Sequence, residues 1–130
     1  MKLTFFMRNS FETIFPVCSN DSPAFKNCDP LTAILSDDGG LGLEHMIAWV
    51  EVGIDTIRKI IHGQIDKGDW VTETFSAEIG REQTEIYYLY DDSYSQFVPT
   101  EIFLKIMLEW HDFITQSPKM DRKKHIEICF

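Results

Sequence analysis

The residues of this chain that could carry acid–base or metal chemistry are four histidines, three cysteines and two adjacent aspartate pairs. Histidine is the usual proton shuttle near neutral pH and shares zinc ligation with cysteine, but both roles demand particular spacings. His45, His62, His111 and His125 form no H-E-x-x-H motif and no pair at i, i+4; Cys18, Cys28 and Cys129 form no C-x-x-C pair. Asp37-Asp38 and Asp91-Asp92 lie outside the D-x-[DN]-x-[DN]-G pattern of a calcium loop. No P-loop, G-x-G-x-x-G or G-x-S-x-G motif occurs, nor a cysteine–histidine nucleophile arrangement. Gly39-Gly40-Leu41-Gly42 precedes a helical pattern and could cradle an anion, but it lacks the lysine and the preceding strand of a P-loop. The spacings point to a protein that binds rather than catalyses, with no cofactor and no metal.

What the chain does concentrate is carboxylate beside tyrosine. Glu78, Glu82, Glu85, Asp91 and Asp92 gather with Tyr88, Tyr90 and Tyr94 within seventeen residues, whereas Asp37 and Asp38 stand apart. Tyrosine supplies contact area and carboxylate supplies orientation and speed of encounter, so these eight residues are the candidate interface. Solvated turn acids and tyrosines packed on a sheet are the alternative reading of the same residues. The formal charge of -9 excludes nucleic acid as a natural partner, because phosphate binding runs on Lys and Arg. The same charge attracts basic proteins.

The elements that must position these residues follow from periodicity. Leu43, Met46, Ile47, Val50, Ile54, Ile57 and Ile61 trace one face of a helix over about 43–63, with acids early, bases late and Gly63 at its end. Gly53 in mid-helix costs about 1 kcal/mol relative to Ala, which predicts a close packing contact there. From Val71 the period becomes two. Val71, Glu73, Phe75, Ala77 and Ile79 fall on one side of a strand, Gly80 to Gln83 form a turn, and Thr84 to Tyr90 return as a second strand. Asp91-Asp92-Ser93 ends that strand, and Tyr94 to Val98 is either a short strand or a lead-in. Pro99 opens a second amphipathic helix over about 99–116, carried by Phe103, Ile106, Met107, Trp110, Phe113 and Ile114 and closed by Ser117-Pro118.

The first forty residues are less regular. Leu3 to Met7 reads as a short strand, Phe11 to Phe15 as an apolar run ending at Pro16, and Leu31 to Leu35 as a short helix. Turn chemistry occupies Ser19 to Pro23, Asn27 to Pro30 and Asp37 to Gly40. After Arg122-Lys123-Lys124, His125 to Phe130 is a last short strand or a loose tail. The fold class is α+β: a small antiparallel sheet built on a hairpin over about 70–90 and flanked by two main helices.

At 130 residues, with 44% apolar and 13% aromatic residues, the chain fits a single domain, 1–130, with its own core. An odd number of dispersed cysteines suits free thiols in a reducing compartment. No apolar run approaches the roughly 20 residues of a membrane span, and the start of the chain meets Arg8 too soon for a secretory signal. A cytoplasmic protein with no membrane role is the expectation.

The run Glu85-Ile-Tyr-Tyr-Leu-Tyr-Asp-Asp-Ser-Tyr-Ser-Gln-Phe-Val-Pro-Thr-Glu-Ile-Phe, continuing to Leu108-Glu-Trp110, resembles the immunity proteins of bacterial contact-dependent growth inhibition, of the kind paired with ribonuclease toxins. The resemblance covers about 69–117 and is carried by a strand, an acidic tyrosine turn, a Val-Pro-Thr-Glu helix start and an aromatic helix. It implies a one-to-one complex with a cognate basic toxin, whose RNA-binding cleft the acidic surface would mask. An acidic adaptor or regulatory module binding another cytosolic protein, without a toxin, is the competing reading.

Overall fold

The computed structural model describes residues 1–10, 12–21, 29–116 and 119–130. Among these residues two antiparallel sheets and three helices make an α+β fold, as the periodicities require. β1 (Lys2–Ser10) lies between β2 (Thr13–Asn20) and β7 (Lys123–Glu127) in a three-stranded sheet. β3 (Gly68–Val71), β4 (Phe75–Ile79), β5 (Gln83–Tyr88) and β6 (Asp91–Pro99) form a four-stranded meander. The helices are α1 (Pro30–Ser36), α2 (Leu43–Ile61) and α3 (Thr100–Thr115). None of the described helices is long and apolar enough to cross a membrane.

Alternation in β1 buries Leu3, Phe5 and Met7 on one face, and Phe5 meets Trp110 of α3 edge-on with ring centroids 5.0 Å apart. The three-stranded sheet is thereby fastened to α3 through the kind of edge-to-face aromatic contact that adds about 0.5–1.5 kcal/mol beyond area burial. α1 packs against β2 of that sheet and against β4, β5 and β6 of the other, so the two sheets share a core. Trp70 of β3 is buried between the helices and donates its indole N–H to the Trp49 carbonyl of α2 at 2.8 Å. The contact predicted at Gly53 is there: a Cβ added to it would stand 2.7 Å from Met107 Cε and 3.0 Å from the Trp70 ring.

Two local expectations are corrected. The strand over residues 71–79 is two strands joined by a turn at 72–74, because Thr72 N donates back to the Phe75 carbonyl at 2.9 Å and Asp37 accepts from Thr74 N at 3.1 Å. Val71 therefore faces solvent while Phe75 is buried, and the shared side inferred for them does not exist. Asp91-Asp92-Ser93 does not end the second strand. Tyr88 pairs with Asp91 after a register shift, leaving Leu89-Tyr90 as the connection, and the two aspartates open β6. The C-terminal alternative resolves to β7, paired with β1 from Lys2↔Glu127 to Phe6↔Lys123. The turn residues Ser22, Pro23, Asn27 and Cys28, the helix stop Ser117-Pro118 and Phe11 of the early apolar run lie outside the described residues.

Candidate partner-binding face

Strand parity sorts the side chains of the four-stranded sheet into an inner and an outer face. Trp70, Phe75, Ala77, Ile79, Thr84, Ile86 and Val98 turn inward and are buried beneath the helices. The register sets Asp69 opposite Glu78, Glu78 opposite Glu85, and Glu85 opposite Phe97, so the outer face carries three carboxylates in one row with an aromatic ring at its end. The neighbouring row runs Val71, Ser76, Tyr87, Ser95. Residues directly opposite on adjacent strands have Cβ atoms about 4.5–5.5 Å apart, and like charges there destabilise the sheet. None of the three carboxylates has an ion-pair partner among the described residues; Lys67 lines the cleft beside Asp69 and Glu78 without pairing with either. Phe97 is 59% exposed in the same row, an apolar ring beside unneutralised charge.

The eight residues picked out by sequence divide. Glu78 and Glu85 stand in the row, and Asp92 joins them with Tyr87 around a shallow cleft of about 230 Å³. Glu82 is exposed in the turn after β4, where its carbonyl accepts the Thr100 N–H at 2.9 Å and ties that turn to the start of α3. Asp91 shapes its own turn, its carboxylate accepting from Ser93 N at 3.1 Å and Ser93 Oγ at 2.6 Å. Tyr88 and Tyr94 fall on the inner side and pack on Phe75, with ring centroids at 5.3 and 6.3 Å. Tyr90, 75% exposed in the β5–β6 connection, leans edge-on against Tyr88. Asp69, Tyr87 and Phe97 complete the outer face and were missed. Tyr87 was within reach of sequence reasoning, since it shares parity with Glu85. Asp69 and Phe97 need the strand register, because a turn or bulge separates each from the two strands that periodicity marks.

The other titratable clusters are structurally occupied. Burial pushes the Asp37 carboxyl up, but hydrogen bonds from Gly39 N, the Thr72 hydroxyl and the N–H and hydroxyl of Thr74 outweigh it and hold the pKa below the ordinary carboxylate value. Gly39 N and Gly40 N are taken by the carboxylates of Asp37 and Asp38, at 2.9 and 2.8 Å, so those two N–H groups of the glycine-rich loop already hold anions of their own chain. In the other sheet a hydrogen bond to Glu109 holds the Lys124 ammonium above its ordinary value against burial, with the charges of Glu109 and Asp112 adding to it. His111 Nε2 sits 3.0 Å from Glu51. Thr4, His125 and Asp21 also converge, with Thr4 Oγ1 2.9 Å from His125 Nδ1 and 3.1 Å from Asp21 Oδ2. There the hydroxyl is central and buried, whereas a nucleophile triad places the histidine between hydroxyl and carboxylate. No group of three or more His, Cys, Asp and Glu residues suited to a metal ion occurs among the described residues.

No protein family matches this chain, and neither curated proteins nor solved structures give a match.

Proposed function

We propose that this protein is an immunity protein that neutralises a cognate basic toxin, a ribonuclease of contact-dependent growth inhibition, by covering its RNA-binding cleft in a one-to-one complex. The observation that carries the reading is the unpaired row Asp69–Glu78–Glu85 on an open sheet face, flanked by Tyr87 and Phe97. Opposed carboxylates weaken the free sheet, and a cationic partner converts that repulsion into attraction. A ribonuclease must present a cationic surface to RNA phosphates, so a surface with the opposite charge pattern competes for the same ground. Tyr87 and Phe97 would supply the apolar contact that slows dissociation, while the excess negative charge speeds encounter. The residue-level motifs of the resemblance, from Glu85 to Trp110, add the toxin class to this reading.

The toxin domain encoded beside this gene should co-purify with the protein, and the protein should rescue growth of cells expressing that toxin. Reversing the pair with Glu78→Lys and Glu85→Lys should weaken the complex by about 2–5 kcal/mol with an unchanged fold. Absence of a complex and of protection defeats the toxin reading. Full affinity in the reversed variant moves the interface off this face.

A further inference from the structure

Beside the first turns of α2 a cleft of about 330 Å³ opens between Leu41, His45, Trp49 and Val71, with Asp38 and Glu73 on its rim. That volume lies at the small end of ligand pockets and suits one or two side chains. Its walls are apolar and in solvent, Leu41 being 67% and Val71 40% exposed. They are also fixed, because Trp49 Nε1 donates to the Val71 carbonyl at 2.8 Å and the His45 ring lies nearly parallel to the Trp49 ring. Val71 belongs both to this cleft and to the outer sheet face, so the cleft opens at the edge of the proposed interface.

We infer that this cleft seats an arginine side chain of the basic partner, an inference that rests on the proposed reading of a cationic protein partner. The rim carboxylates select the charge. Asp37 spends one oxygen on its own loop and the other on Thr74 of the β3–β4 turn, but Glu73 and the second oxygen of Asp38 accept no hydrogen bond from the described residues. The N-terminus of α2 contributes about half a positive charge, which three carboxylates outweigh; and no side-chain cap at that end engages Asp38. Arginine fits these walls better than lysine. Its aliphatic stem covers Leu41 and Val71, and its planar fork can donate to Glu73 and Asp38 together.

The probe is Nα-acetylarginine amide, titrated into the isotopically labelled protein and followed by the Trp49 indole N–H and the backbone resonances of Leu41, His45 and Glu73, with the neutral citrulline analogue as control. Arginine amide should shift these resonances saturably, citrulline amide should not, and Glu73→Gln should weaken the response by about two- to fivefold. Unmoved resonances, or equal shifts with citrulline, overturn the inference. The toxin experiment separates it from the function on which it rests: if the toxin binds and Leu41→Ser with Glu73→Gln leaves its affinity unchanged, the cleft assignment fails and the immunity reading stands. If arginine amide binds as described and no toxin does, the immunity reading fails and the arginine site stands.

Discussion

In the proposed complex the outer-face carboxylates set stability against binding within single side chains. Glu78 and Glu85 oppose each other across β4 and β5 without a cation, so Glu85→Gln should stabilise the free protein by about 0.2–1 kcal/mol while lowering affinity for the basic partner. Thermal melting alongside binding measurement checks the opposite signs; a residue present only for solubility would leave affinity unchanged. Asp37 predicts the reverse. Its carboxylate receives the Gly39 and Thr74 N–H groups and pins the glycine loop to the β3–β4 turn, so Asp37→Ala should cost about 1–3 kcal/mol. Its folded pKa is depressed, so this contribution is present above the unfolded pKa and is lost as pH falls through the folded one. The gap in melting temperature between wild type and variant should therefore narrow below the ordinary carboxylate range. At this scale Glu78 and Glu85 were legible because composition marks acids directly. The inward turn of Tyr88 and Tyr94 was not, because a tyrosine suits either face and the register decides.

Helices were read more faithfully than strands, and the reason lies in the length over which each pattern repeats. α2 repeats its apolar spacing across nineteen residues, so one irregular position such as Gly53 does not disguise it. The run from Val71 to Ile79 alternates as a strand would, yet three residues in its middle reverse the chain, with Thr74 donating to the carboxylate of Asp37, more than thirty residues away. β6 is hidden for a similar reason, since Asp91 and Asp92 have turn chemistry but open a strand in which Asp91 pairs with Tyr88 after the shift at Tyr87/Tyr88. The three-stranded sheet depends on β7 returning to β1 from the far end of the chain, which local periodicity does not report. Gly53 tests the helix packing. Ala would gain about 1 kcal/mol of helix propensity, but its methyl meets Met107 and the hydrogen-bonded indole of Trp70. Met107 can bend away and Trp70 cannot, so Gly53→Ala should destabilise by about 1–3 kcal/mol, as read from the shift in denaturation midpoint.

For the whole molecule the deciding quantity is where the charge of -9 resides. The basic residues Lys119, Arg122, Lys123 and Lys124 surround a cleft of about 610 Å³ beside β7 and α3, and Lys124 is engaged by Glu109 and Asp112. The unpaired row Asp69–Glu78–Glu85 lies instead on the outer face of the four-stranded sheet, with Asp38 and Glu73 on the rim of the cleft beside it. Salt acts on two properties of this arrangement in opposite directions. Raising ionic strength shrinks the screening length from about 30 Å at 0.01 M to about 3 Å at 1 M. Screening relieves the repulsion within the Asp69–Glu78–Glu85 row and across the surface, so the free protein should melt at higher temperature as simple salt is added. The same screening removes long-range steering, so association with the proposed basic partner should slow by about tenfold or more while dissociation changes far less. Stopped-flow association and thermal melting over one salt series test both. In Glu85→Gln both slopes should flatten together, because the one charge row contributes to each; a variant that flattens the melting slope alone would place the partner's contact on another surface.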